Sequence, residues 1–312
     1  MSKPRIVAGD GRRGKIQAQF KSVMSAFCYL QSTVFVFLAL CTHSEVVEQL
    51  TYIVETLSKF TKLCVIRICV DKIYFIVLDD SCIGDHPFVW CVLEQANFFR
   101  RYCLVGLNEN NNEIFLEFEP DMMAKSLNFL KSSQIAESLT IKLTNKQSPC
   151  LTFEVNLTST TLARMCVHDI PVTVVPHKQW RMFVQPESPR FTVKIELPNL
   201  KLLRSVVERM KTLNPKVTII ASDNGDLVFK VETMMADMAT HFKNLPVLDK
   251  DVNESPQTSS VQVDIKKFMD FLACEQLHPQ NVTCNIVNKK MVDFYLVHDD
   301  FNLHFILPSV LS

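Results

Sequence analysis

Net charge is the first thing this chain lacks. Its 312 residues carry 33 Lys and Arg against 33 Asp and Glu, so no global field draws it to nucleic acid or to a membrane surface. Glycine is scarce, six in all, and three of the six fall in Gly9-Asp10-Gly11-Arg12-Arg13-Gly14-Lys15. That segment matches two phosphate-loop patterns on paper. Ile16 stands where one of them needs a hydroxyl for magnesium, and no convincing strand or helix start flanks the segment to complete an anion site, so it reads as a flexible tail. The 11 cysteines lack framework spacing and contain no CxxC pair, which weakens zinc and dithiol readings. Cys64, Cys69, Cys91 and Cys284 lie in apolar strand runs, as free thiols do in a reducing compartment. The three N-x-S/T sequons, at Asn156, Asn253 and Asn281, mean little in a protein that is not secreted. No histidine pair with a third ligand and no Ser-His-Asp or Cys-His arrangement is visible. Asp79-Asp80 and Asp299-Asp300 read as solvated turn acids, since no base or nucleophile accompanies them. Nothing nominates an enzyme, a metal or a cofactor.

What is present is repetition. A hydrophobic content of 47% with 21% charged residues is that of an ordinary globular protein, and the length suffices for two domains. A unit of amphipathic helix, strand, polar turn and strand recurs four times. Its turns are Val70-Asp71-Lys72, Thr144-Asn145-Lys146-Gln147, Asp223-Asn224-Gly225 and Asn288-Lys289-Lys290. Turns one and three, and turns two and four, are separated by close to half the chain, so two similar halves hold two units each. Val46, Leu50, Ile53, Leu57 and Phe60 repeat at helical spacing behind Ser44, a plausible N-cap. Pro120 and Pro198 open further helices, and a fourth runs over Ile265–Gln276. Leu151, Phe153, Val155 and Leu157 alternate with polar residues, the pattern of a half-buried strand. Helices followed by hairpins, without βαβ crossovers, argue for an α+β fold: antiparallel sheets with helices packed on one face. Pro171, Pro176, Pro186 and Pro189 mark 170–190 as an extended connector between the halves.

The segment Ser22–Thr42 has no charge, and 15 of its 21 residues are apolar or aromatic. Six basic residues and one acid precede Ser44 (Lys3, Arg5, Arg12, Arg13, Lys15, Lys21, Asp10), so the rest of the chain is net acidic. The segment reads as an apolar insertion in a surface loop. Its length and basic flank also admit a membrane anchor over 22–42.

The polar helix faces carry the remaining signal. One presents Lys125, Asn128 and Lys131, the next Lys201, Arg204, Glu208, Arg209 and Lys211, and the fourth opens on Lys266-Lys267. Such spacing suits phosphate contact without base reading. It is also what a plain solvated helix shows. The first helix, with Glu45, Glu48 and Glu55 against Lys59 and Lys62, dilutes the basic character.

Six stretches in order give the pattern an identity. They are Asn111-Asn112-Glu113-Ile114-Phe115-Leu116-Glu117, Ile141-Lys142-Leu143-Thr144-Asn145-Lys146 with Pro149-Cys150-Leu151-Thr152, and His168-Asp169-Ile170-Pro171-Val172 leading to Pro176 and Trp180. Ser205-Val206-Val207-Glu208-Arg209-Met210-Lys211, Thr240-His241-Phe242-Lys243-Asn244-Leu245 and Cys284-Asn285-Ile286-Val287-Asn288 complete the set. Together they resemble the Hus-one family of nuclear DNA-damage checkpoint clamp subunits, from about residue 44 to the C-terminus. The resemblance implies a sliding-clamp fold with domains at 15–169 and 191–312, joined by the connector 170–190. Residues 15–20 then resemble the family's first strand, 1–14 become an extension, and about 21–43 an insertion. It also implies a non-enzymatic nuclear role in checkpoint signalling and repair, without cofactor. The partners it implies are Rad-nine-like and Rad-one-like subunits in a heterotrimeric ring, a clamp loader, and double-stranded DNA in the channel. Lys125, Lys131, Lys201, Arg204, Lys211, Lys266 and Lys267 become the DNA-facing candidates. The alternatives are a homotrimeric replication-type clamp and a membrane-anchored interaction protein.

Overall fold

Period-two alternation folds as strand and three-to-four spacing as helix along nearly all of the computed structural model. It describes residues 29–30, 33–34, 36–42, 44–78, 88–105, 113–132, 136–157, 164–185, 189–248 and 257–310. Two short strands, β1 (Tyr29–Leu30) and β2 (Thr33–Val34), pair with each other. The first unit then runs β3 (Val36–Cys41), α1 (Ser44–Phe60), β4 (Cys64–Ile68), β5 (Lys72–Val77), β6 (Val89–Glu94), the single turn α2 (Gln95–Phe98) and β7 (Arg101–Val105). The second is β8 (Ile114–Phe118), α3 (Pro120–Ser132), β9 (Ala136–Asn145), β10 (Pro149–Leu157) and β11 (Arg164–Pro171). The connector holds β12 (Thr173–Val174) and a 3-10 helix (His177–Phe183). The third unit is β13 (Val193–Glu196), α4 (Leu200–Lys211), β14 (Lys216–Ser222), β15 (Leu227–Glu232) and β16 (Asp237–Phe242). The fourth is β17 (Thr258–Asp264), α5 (Ile265–Leu272) with a 3-10 turn (Ala273–Leu277), β18 (Asn281–Val287), β19 (Met291–Val297) and β20 (Phe301–Pro308).

Every strand pairing among the described residues is antiparallel. Five strands form one sheet in the order β11-β10-β9-β3-β7 and four form another, β16-β15-β14-β17. The third sheet has nine strands, β12-β8-β4-β5-β6-β20-β19-β18-β13. It joins the halves, because β6 pairs with β20 in the register Leu93↔Phe301 to Val89↔Phe305.

One apolar core spans both halves, from Phe37 to Leu307. Phe305 sits at its centre, with its ring 4.9 Å from Phe60, 4.5 Å from Phe88 and 5.4 Å from Phe271. Phe271 in turn stacks on Phe294 at 4.3 Å. Polar contacts cross the same junction. Gln276 Nε2 donates to Thr56 Oγ1 at 2.6 Å, and Lys59 Nζ donates to Gln276 Oε1 at 3.2 Å.

The segment 21–43 departs from the insertion that the sequence pattern suggests. Val36–Cys41 is a strand between β9 and β7, with Phe37, Ala39 and Cys41 turned into the core at 2%, 0% and 2% exposure. The stretch Val36–Cys41 of its apolar run is strand core, and only residues 42 and 43 separate it from α1. Residues 15–20, expected as the opening strand, and the glycine-rich 9–15 lie outside the described residues. No helix among the described residues is long and apolar enough to cross a membrane. At α4 the helix begins two residues later than a start at Pro198 implies, since Asn199 is the N-cap and its Oδ1 accepts from Lys201 N at 2.9 Å.

The sheet edges differ in how they are covered. β17 is tied down: Lys289 N donates to Ser260 O at 2.7 Å and Val310 N to Gln262 O at 2.8 Å. Among the described residues β11 and β16 terminate their sheets with no further strand beside them. Met165 and Val167 on β11 are 58% and 43% exposed, and Met234 and Met235 at the turn into β16 are fully exposed.

The hairpin at Asp223-Asn224-Gly225 depends on its glycine, which has φ +87° and would place a Cβ 2.6 Å from the Leu245 carbonyl oxygen. Gly225→Ala is expected to cost about 1–3 kcal/mol, from backbone strain plus that collision. Phe305→Ala is expected to cost about 3–5 kcal/mol, as large buried aromatics do. Both halves should then melt together at a lower temperature in calorimetry, because Phe305 belongs to their shared core. Two separated transitions would contradict the shared core.

Candidate nucleic-acid interface on the helical layer

The helices form one continuous layer over the inner faces of the sheets. α1 lies beside α3, α4 packs on α5, and the 3-10 turn after α5 touches both α1 and α4. In α4, Leu200, Leu203, Val207 and Met210 are buried, which leaves Lys201, Arg204, Arg209 and Lys211 exposed on the other side. α5 is capped by Asp264, whose Oδ1 accepts from Lys266 N at 2.8 Å and Lys267 N at 3.1 Å. The cap places Lys266, which is exposed, and Lys267, which is half-buried, in the first turn of the helix after β17.

The sequence-predicted cations are therefore on one layer, but they are not equivalent. Lys201, Lys211 and Lys266 are exposed and make no ion pair among the described residues. Arg204 Nη1 meets Glu275 Oε1 at 3.3 Å. Lys125 Nζ lies 2.5 Å from Asp121 Oδ2, an i,i+4 pair that neutralises it locally. Lys267 is half-buried, its Nζ 5.4 Å from the centre of the Phe88 ring. The side chain of Lys131 lies outside those described. Arg209, seen in the helix-face pattern but not singled out with the other seven, is as exposed as Lys201.

Charge divides the layer. α4 presents four cations against Glu208, whereas α1 presents Glu45, Glu48 and Glu55 against Lys59. Glu55 Oε1 accepts from Asn128 Nδ2 at 2.5 Å, and Glu48 Oε1 from the Tyr52 hydroxyl at 3.0 Å, so the acids of α1 are held in place. An anion approaching this layer meets attraction over α4 and the start of α5, and little over α1 and α3.

Among the described residues no three His, Cys, Asp or Glu side chains gather as a metal site. Burial pushes the thiols of Cys64, Cys91, Cys274 and Cys284 well up, and that of Cys69 up to about 11, away from thiolate chemistry. Asp299 accepts from Gln280 and Asp300 lies 3.7 Å from His298, as turn acids do. Asp79-Asp80 lies outside the described residues.

A charged pocket on the opposite sheet face, around Arg67 and Trp180, was not picked out by pattern. The available signal was an arginine inside the apolar run Val65-Ile66-Arg67-Ile68. A charge there must be matched by neighbours that only the fold supplies.

The family model described as "Hus1-like protein" matches residues 37–311. The human checkpoint protein HUS1 is 40% identical over 267 residues, covering 83% of this chain and 94% of that protein. The Drosophila melanogaster "Checkpoint protein Hus1-like" is 30% identical over 261 residues, 83% of this chain and 93% of its own. The fission yeast checkpoint protein hus1 is 26% identical over 270 residues, 82% and 91% respectively. Among solved structures, proliferating cell nuclear antigen from Entamoeba histolytica superposes with a TM-score of 0.66 at 12% identity, over 88% of this chain and 99% of that one. The Thermococcus kodakaraensis protein gives 0.61 at 16%, with the same coverage. These structures share the fold. The match from residue 37 agrees with β3 as the first strand of the shared architecture.

Lys211 also acts on a neighbouring carboxyl. Burial pushes the Asp270 carboxyl up from its ordinary range, and the Lys211 ammonium partly offsets this. A raised carboxyl makes the folded state bind the proton more tightly, so its stability is full below the unfolded pKa and falls as pH rises through the folded pKa. Lys211→Ala removes the offset. It is expected to lower stability at pH 7 by at most about 1 kcal/mol, as partly exposed pairs do, and the difference from wild type should shrink towards pH 3–4. Denaturant titrations across that range check it; a pH-independent difference would rule out the coupling.

Proposed function

The chain belongs to the Hus1-like protein family, and from that premise we infer that it is one subunit of a checkpoint sliding clamp, a ring that encircles DNA. The observation that carries this reading is the family match across residues 37–311 on a chain with the two-half clamp fold. We propose further that its partners are Rad-nine-like and Rad-one-like clamp subunits, seated by a clamp loader in the nucleus. In this reading the chain is non-enzymatic and serves signalling and repair by position. Its two clamp domains, 15–169 and 191–312, are linked along the chain by the connector 170–190.

Ring closure is proposed at β11 and β16. Both are open sheet edges, and both carry exposed apolar side chains that a solitary chain would leave in water. Pairing with a partner's edge satisfies the unused backbone groups and covers Met165 and Val167 on one side and Met234 and Met235 on the other. The helical layer then lines the channel. Lys201, Lys211 and Lys266 are its phosphate contacts, with Arg209 beside them. Arg204, Lys125, Lys131 and Lys267 are proposed as secondary contacts.

Two measurements test this. Tagged full-length chain is expected to co-purify with two different clamp-like polypeptides, and Met165→Glu with Val167→Glu should release one while retaining the other. Recovery of a homotrimer alone would overturn the heterotrimeric reading. Lys201→Glu with Arg209→Glu should leave the ring assembled and weaken its retention on closed circular DNA. Each lost phosphate contact should reduce the log–log salt slope by about 1. Unchanged retention and slope would remove α4 from the DNA face.

A further inference from the structure

The turn that leads from β15 into β16 carries two consecutive methionines, Met234 and Met235, and both are fully exposed. The turn is held from inside. Thr233 N donates to Ala236 O at 3.2 Å, and the Thr233 hydroxyl donates to the same carbonyl at 2.6 Å. That hydroxyl also accepts from Met235 N at 3.3 Å and from Ala236 N at 2.9 Å, so its donor and both lone pairs are in use. One residue earlier, Asn214 Nδ2 donates to Glu232 O at 2.8 Å and ties the turn to the end of α4. The backbone of Met234 and Met235 is thereby fixed while both side chains stand in water. The nearby Met238, by contrast, packs against the core.

Sulfur elsewhere is better shielded. Met123 and Met210 are buried at 2% and 0% exposure, and Met165, Met182 and Met122 reach 58%, 44% and 38%. The described cysteines are all buried or half-buried. Burial pushes the thiols of Cys64, Cys91, Cys274 and Cys284 well up and that of Cys69 up to about 11, so little reactive thiolate competes there. Among the described sulfurs, the thioethers of Met234 and Met235 are therefore the first that a dissolved oxidant meets.

We propose that Met234 and Met235 form an oxidation site through which hydrogen peroxide blocks ring closure at β16, an inference that rests on the clamp reading above. Each thioether sulfur attacks one peroxide oxygen. The O–O bond breaks and an S–O bond forms. The departing hydroxide takes the proton left on the new S–OH group, which gives a sulfoxide and water. Sulfur loses two electrons and the peroxide gains two. A polar acceptor then stands where an apolar group stood. The solitary chain is unaffected in its fold, since water already surrounds both side chains. Against a partner's edge the sulfoxide oxygen loses that water and meets an apolar surface without a donor. Closure at β16 covers both sulfurs, so the reaction selects the unassembled chain. A thiol-dependent sulfoxide reductase reverses it: two thiols become a disulfide, and the oxygen leaves as water.

The test treats the full-length chain with hydrogen peroxide and follows it by peptide mass spectrometry, melting temperature and capture of the two clamp-like partners. Met234 and Met235 are expected to gain one oxygen each, about tenfold sooner than Met123 and Met210 and ahead of Met165. The melting temperature should stay unchanged. Capture of one partner should weaken at least about tenfold, as a buried acceptor without a donor implies. Methionine sulfoxide reductase with dithiothreitol should restore it. Met234→Leu with Met235→Leu should capture both partners before and after peroxide. In the assembled ring the two methionines should stay unoxidised. Oxidation slower than at Met165, oxidation at an equal rate in the ring, a melting temperature that falls with it, undiminished capture by the oxidised chain, or equal loss in the double leucine variant would each overturn this proposal alone. A chain that captures no clamp-like partner before peroxide would overturn both it and the clamp reading.

Discussion

The antiparallel seam between β6 and β20 is the contact on which the rest of this molecule depends. It makes one sheet of strands from both halves, and Phe305 on that seam touches Phe60 and Phe88 from the first half and Phe271 from the second. Hydrogen bonds across the seam set register, and the aromatic contacts beneath it set the spacing of the helices. α1 and the 3-10 turn after α5 come into contact because the sheet below them is continuous. A helical layer with its own two-part charge pattern follows from that.

Both functional faces inherit the same constraint. The inner face of the sheet is apolar throughout and must be covered, so the helices lie there and turn their charged sides away from it. The outer face is covered in the first half by the connector, whose Trp180 and Phe183 pack on Phe115 and close one side of the Arg67 pocket. β11 and β16 are left at the outer ends of the two smaller sheets, where a subunit of a ring presents itself to its neighbours. The proposed DNA-contact face and the proposed partner edges are thereby different surfaces of one scaffold.

Much of this fold was legible in the chain. The hairpins at Asp71, Asn145, Asn224 and Asn288 are marked by turn residues between alternating runs, and those local signals survive folding because backbone geometry imposes them. Val36–Cys41 was not legible. An uninterrupted apolar run serves equally as a buried strand, an insertion or part of a membrane span, and only its pairing with β9 and β7 decides among them. β7, β11 and β16 carry weaker alternation and were likewise not marked. At the helical layer the basic residue types were visible, while their neutralisation was not. Arg204 meets Glu275 and Lys267 meets Phe88 through partners distant in the chain.

The sequence by itself determined the four helix–hairpin units, their grouping into two halves, and, through six stretches in order, the family. These are properties of local periodicity and residue identity, which the unfolded chain already contains. The tertiary structure alone decided which cations remain free, which sheet edges stay open, and that Arg67 stands beside Trp180. Each of those depends on side chains brought together from far apart in the chain by the shared core, and their charges are matched or left unmatched by distances that no local pattern encodes.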